Sequence, residues 1–66
     1  MNVQINGENR NLPEGATLQD VINLLQLQGK RLAVEINTEI VPRSLHASRQ
    51  LREGDRVEIV HAIGGG

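Results

Sequence analysis

Neither an aromatic residue nor a cysteine occurs anywhere in this chain of 66 residues, and that double absence limits what it can fold into. Without cysteine there is no disulfide to brace a small domain, no thiolate metal site and no cysteine nucleophile. Without aromatic rings the core has to come from eight leucines, six isoleucines and six valines, branched side chains that suit a small sheet packed on a helix. A chain this short makes one domain and buries only about 60% of the surface its unfolded form exposes. The core is therefore thin, and each apolar position has to be used.

The apolar positions follow two periods. Met1, Val3 and Ile5 alternate with Asn2, Gln4 and Asn6, the period-two signature of a strand with one buried face. Asn6-Gly7 tolerates the positive φ angles of a tight hairpin, so a second short strand ending near Leu12 is expected to pair antiparallel with the first, before Pro13-Glu14-Gly15 interrupts it. Thr17 and Asp20 stand at capping-box spacing, and Leu18, Val21, Ile22 and Leu25 then repeat at helical intervals. These features predict a helix over about residues 17 to 28, with Gly29 as its left-handed cap and Lys30 and Arg31 beside its negative end.

Leu32, Val34 and Ile36 alternate again, giving a third strand. Asn37-Thr38 is a plausible turn into a short fourth strand, Glu39-Ile40-Val41, which Pro42 confines to an edge. Residues 43 to 52 read as loop or helical turn with Leu45 and Leu51 pointing inward. After the turn Glu53-Gly54-Asp55, a last strand runs from Arg56 to about His61, with Val57 and Ile59 on its buried face. The order strand, strand, helix, strand, strand, strand describes an α+β roll of the β-grasp type, a mixed sheet of about five strands covered by one helix. The first and last strands are expected to be parallel neighbours at its centre.

A formal charge of −1, from seven basic and eight acidic residues, gives neither a nucleic-acid footprint nor a membrane-surface patch. No aromatic platform exists on which single-stranded bases could stack. The amino-terminal stretch has no long apolar run, so a cytoplasmic protein with no nucleic-acid or membrane partner is expected. The two histidines, His46 and His61, lack carboxylates at ligand spacing, so no metal is expected and both read as surface or edge residues. Arg43, Arg49, Arg52 and Arg56 read as a solvated face that could also steer docking. Nothing pairs a nucleophile with a base or builds a phosphate loop, so the chain is not expected to be an enzyme.

The remaining feature is the close of the sequence, Ala62-Ile63-Gly64-Gly65-Gly66. Glycines lose the most freedom when fixed and add nothing to a core, yet they can thread a channel too narrow for any other residue. The expected division is a folded domain over residues 1–61 and a flexible tail over 62–66. Its function would be to offer the α-carboxylate of Gly66 to a partner. Val60, Ile63 and Val41 raise the question of a docking patch near the tail, on the sheet face the helix does not cover, with Arg43 as a candidate neighbour. Scattered surface aliphatics are the equal alternative.

The stretch Val34-Glu35-Ile36-Asn37 through Ile40-Val41-Pro42-Arg43, the turn Glu53-Gly54-Asp55 and the ending Val57-Glu58-Ile59-Val60-His61-Ala62-Ile63-Gly64-Gly65-Gly66 resemble the ThiS family, the sulfur carriers of thiamine thiazole synthesis. The likeness covers essentially the whole chain, and its most diagnostic pieces are Val41-Pro42-Arg43 and the final glycines. It implies a ubiquitin-like β-grasp protein with no bound cofactor. The Gly66 carboxylate would be adenylated with ATP by a ThiF-type enzyme and converted to a thiocarboxylate with sulfur from a persulfide donor. The sulfur would then pass to a ThiG-type thiazole synthase. Ala62, Ile63, Gly64 and Gly65 would thread the partner's site.

The chain departs from the family in lacking an aromatic residue near His46, and it ends in three glycines where the family varies between two and three. Three alternatives stay open at the level of sequence. They are the related carrier of molybdopterin synthesis, a protein modifier joined to lysines through Gly66, and a plain binding module whose glycine end has no chemistry.

Overall fold

The computed structural model describes residues 1–61. Strands β1 (Asn2–Ile5) and β2 (Glu8–Asn11) form an antiparallel hairpin. Its turn uses Asn6 and Gly7 at φ 50° and 84°, the paired left-handed geometry that matches the twist of a two-residue hairpin. Helix α1 (Leu18–Leu24) follows, then β3 (Leu32–Ile36), β4 (Glu39–Ile40), a 3₁₀ turn (Arg43–Leu45) and β5 (Arg56–His61). The sheet order is β2-β1-β5-β3-β4, with β5 parallel to β1 and antiparallel to β3. This is the expected β-grasp roll, and the first and last strands are adjacent as their crossover requires.

The core lies between one face of the sheet and the helix. Val3, Ile5, Val34, Ile36, Val57 and Ile59 point toward Leu18, Val21 and Ile22, and all are buried. The helix begins where the capping box places it. Thr17 Oγ1 accepts from the Asp20 amide at 3.2 Å, and Asp20 Oδ2 accepts from the Thr17 amide at 2.9 Å. The amides of Leu18 and Gln19 donate to the carbonyls of Arg49 and His46, both at 2.9 Å. The first turn of the helix, which has no partners of its own, is thus satisfied partly by the segment that returns toward β5. Replacing Thr17 with Ala is expected to cost about 1 kcal/mol, seen as a lower urea midpoint with an unchanged slope.

The helix ends earlier than its apolar spacing suggests. The amide of Gln26 donates to Asn23 O and that of Leu27 to Ile22 O, both at 3.0 Å, with Gln26 at φ 59°. This is a Schellman closure in which a glutamine takes the left-handed position. Gly29, at φ 80°, serves the next turn instead. With no basic residue in the last turn of the helix, Lys30 and Arg31 do not act on its dipole as expected.

Asn37 and Thr38 turn β3 into β4 with φ values of 51° and 71°. Beyond β4, the amide of Val41 still donates to Val34 O at 2.9 Å. The 3₁₀ turn then reverses one inward assignment. Leu45 is 49% exposed while His46 is 6% exposed, its Nε2 lying 3.2 Å from Val41 O. The carbonyl can only accept, so Nε2 carries the proton. His46 is therefore an interior residue rather than a surface one, and Leu51 alone of the two leucines points inward.

Candidate functional site

Everything expected of the glycine segment depends on how β5 delivers it. At its start, β5 is paired with β1 through Gln4 and Ile5, and from Val57 to His61 it is paired with β3. β1 ends at Ile5, yet β5 continues, and Asn6 bridges the difference. Its amide donates to Val57 O at 2.8 Å, and its side-chain Oδ1 accepts from the Ile59 amide at 2.8 Å. Its Nδ2 donates to Ile59 O at 3.3 Å. A side-chain amide thus stands in for a strand partner, satisfying groups that the end of β1 would leave bare. Beyond Ile59, β5 is paired through Val60 and His61 with Ala33 and Leu32.

The far end of β5 is fixed by the turn that precedes it. Asp55 is buried, and Oδ1 accepts from Asn37 Nδ2 at 3.0 Å while Oδ2 accepts from the Arg52 amide at 2.8 Å. Arg49 approaches Oδ2 at 3.9 Å. Asn37 Oδ1 in turn accepts from the Arg56 amide at 2.9 Å. Glu53 Oε1 takes the Asn2 amide and Gly54 donates to Asn2 O. The site's supporting strand is thus tied into both halves of the sheet. Nothing in a Glu-Gly-Asp turn marks its aspartate for burial, and this role was not foreseen from the sequence.

Ala62, Ile63, Gly64, Gly65 and Gly66 lie outside the described residues, as does the expected division between domain and tail. The candidate patch is partly regrouped. Val60 is 66% exposed on the sheet face opposite the helix, but Val41 is buried at 8%. Strand alternation explains the difference. Ile40 stands opposite Glu35 on the open face, so the next side chain, Val41, turns toward the core. Ile40, not Val41, is the exposed aliphatic there, at 77%. Ala33, Glu35, Ile40, Glu58 and Val60 border a shallow groove of about 320 Å³ on this face. Arg43 is on the helix side, where it borders a smaller hollow with Gln19, Lys30 and His46. It does not form one surface with Val60.

Among the described residues no cluster of three or more histidine, cysteine or acidic residues could hold a metal ion, and no helix is long and apolar enough to cross a membrane.

Residues 3–66 match the model of the ThiS family. The chain is 35% identical over 65 residues to the sulfur carrier protein ThiS of Bacillus subtilis, covering 97% of this chain and 98% of that one. It is also 42% identical over 66 residues to the thiazole synthase of Paramagnetospirillum magneticum, covering all of this chain but 20% of that protein. The crystal structure of the thiamine biosynthesis protein ThiS from Geobacter metallireducens superposes with a TM-score of 0.82 at 28% identity, over 100% of both chains.

Proposed function

Because this chain belongs to the ThiS family, we propose that it carries sulfur for thiamine biosynthesis as a thiocarboxylate formed on Gly66. The observation that carries this reading is the extent of the family match, which runs through Gly66 itself. A strand anchored on both sides leads directly toward those glycines.

A carboxylate is a poor electrophile, because its negative charge is delocalised and its leaving group would be oxide. Activation is therefore needed first. A Gly66 carboxylate oxygen attacks the α-phosphorus of ATP and pyrophosphate leaves, giving an acyl adenylate. The terminal sulfur of a persulfide then attacks the carbonyl carbon, and AMP departs with the electron pair of the broken C–O bond. The product is an acyl disulfide. A dithiol reductant supplies two electrons, cleaves the S–S bond and leaves the thiocarboxylate on the carrier. The domain supplies no catalytic group of its own. A ThiF-type enzyme performs the activation and consumes ATP.

The thiazole synthase matches favour a ThiG-type acceptor. A stretch similar to this chain makes up one fifth of the Paramagnetospirillum thiazole synthase, which supports a carrier that works with such an enzyme.

Intact mass spectrometry tests the reading. Incubated with ATP, the adenylating enzyme, a persulfide donor and a dithiol, the chain is expected to gain the mass difference between sulfur and oxygen, with the gain mapping to Gly66. A mass that stays unchanged, or a gain elsewhere, refutes it.

A further inference from the structure

Lys30 and Arg31 do not serve the helix end, and the fold gives them another neighbour. With Arg43, Gln19 and His46 they border the hollow on the helix side, whose volume is about 110 Å³. The loop before β3 brings the first two and the 3₁₀ turn brings Arg43, so the three cations meet only in the folded chain. Among the described residues no acidic side chain borders the hollow. The ion pairs among those residues join the amino terminus to Glu14 and Arg49 to Asp55, so none of the three cations is neutralised. Gathered around one concavity, they repel one another and focus a field that attracts an anion. Liquid water would fill the hollow with about four molecules, which is room for one tetrahedral oxyanion and not for a nucleoside.

His46 narrows the class of anion. Its ring is buried, and Nε2 gives its proton to Val41 O at 3.2 Å. Nδ1 is then a bare acceptor. Among the described residues no side-chain nitrogen or oxygen is both buried and unpartnered, so this second nitrogen is not sealed from solvent, and the hollow is a concavity that His46 borders. An oxyanion with no proton would set a lone pair against Nδ1, whereas one with an O–H would donate to it. Sulfate near neutral pH has no proton; hydrogen phosphate keeps one. We propose that the hollow binds inorganic hydrogen phosphate. Lys30, Arg31 and Arg43 take its charged oxygens, and its P–O–H donates to His46 Nδ1. A phosphate monoester fits less well, because with a second pKa of about 6 it has lost that proton at about pH 8. The site adjoins the end of β5, since Leu32 borders the hollow and is paired with His61, but it is independent of the sulfur chemistry proposed above.

NMR titration of the full ¹⁵N-labelled chain at about pH 8, with ionic strength held constant by sodium chloride, tests the site. Inorganic phosphate is expected to shift the amides of Gly29, Lys30 and Arg31 saturably, and the Nδ1 resonance of His46 should move upfield as it accepts the proton. Sulfate and glycerol 3-phosphate should bind at least about fivefold more weakly, each for want of the O–H. R43Q should weaken phosphate binding about tenfold, with no fall in the melting temperature in chloride. Equal affinity for phosphate and sulfate, or an Nδ1 resonance that does not move, overturns the proposal and leaves an unspecific cationic surface. Glycerol 3-phosphate binding as tightly as phosphate overturns the assignment to the free anion. Phosphate affinity untouched by R43Q overturns the placement in this hollow, and the absence of any saturable shift overturns the site altogether.

Discussion

One alanine added after Gly66 is expected to abolish sulfur loading, reducing the rate by at least about a thousandfold while leaving the domain's stability unchanged. The proposed chemistry needs a single electrophilic carbon, and the extension removes it in two ways. The Gly66 carbonyl becomes a peptide amide, whose oxygen carries no full negative charge with which to attack phosphorus. The new carboxylate sits about 3.5 Å further along the chain, beyond the position aligned with the α-phosphate, and a misplacement of about 1 Å already costs about a hundredfold. If the tail threads its partner as proposed, the added Cβ would also have to enter a channel suited to glycine. Single-turnover loading followed by intact mass separates this from a binding defect. The extended chain should still compete with the parent chain for the enzyme, because its groove and β5 are untouched. Normal loading of the extended chain would mean that Gly66 is not the reacting end.

Much of this architecture can be read from the residues, and the places where that reading stops have physical causes. Alternation in residues 1–5, 32–36 and 56–61 gives three strands because each has one buried face, and that pattern is local. The helix start is equally local, since Thr17 and Asp20 cap each other across three residues. Its end is not. Leu25 and Leu27 keep an apolar rhythm past the last turn, and Gln26 is a good helix former in isolation. Only the Schellman closure, with Leu27 and Ile22 both at the edge of the helix-side hollow, ends the element there.

His46 escapes notice because a three-residue turn has no periodicity to show which side chain faces in. Val41 and Ile40 were separable in principle, since adjacent strand residues cannot share a face. The site divides in the same way. The glycines and Val60 are visible in the sequence, whereas the opposition of Glu35 and Glu58 exists only once the β3–β5 register is fixed. A shift of one residue would move each strand's apolar set to the wrong face.

The register itself points to a buried polar residue on which the fold depends. Asp55→Ala is expected to destabilise the domain by about 3 kcal/mol, a fall of roughly 20 °C in melting temperature for a chain of this size. The buried carboxylate of Asp55 accepts from Asn37 Nδ2 and from the Arg52 amide, so truncation leaves two donors without their charged acceptor. The damage extends beyond those two bonds. Asn37 is held by Asp55 on one side and accepts from the Arg56 amide on the other, and it occupies the turn between β3 and β4 at φ 51°. Releasing it loosens both the edge hairpin and the first residue of β5. Asp55→Asn separates charge from shape. It retains an oxygen for Asn37 but turns an NH₂ toward the Arg52 amide, so a loss of about half the alanine value is expected. Urea unfolding of the free domain gives both numbers, and equal stability of the alanine variant and the parent chain would show that water replaces the carboxylate without penalty. Well below its melting temperature the alanine variant should still load sulfur, because Asp55 precedes β5, at the end of the strand away from His61, and does not border the groove.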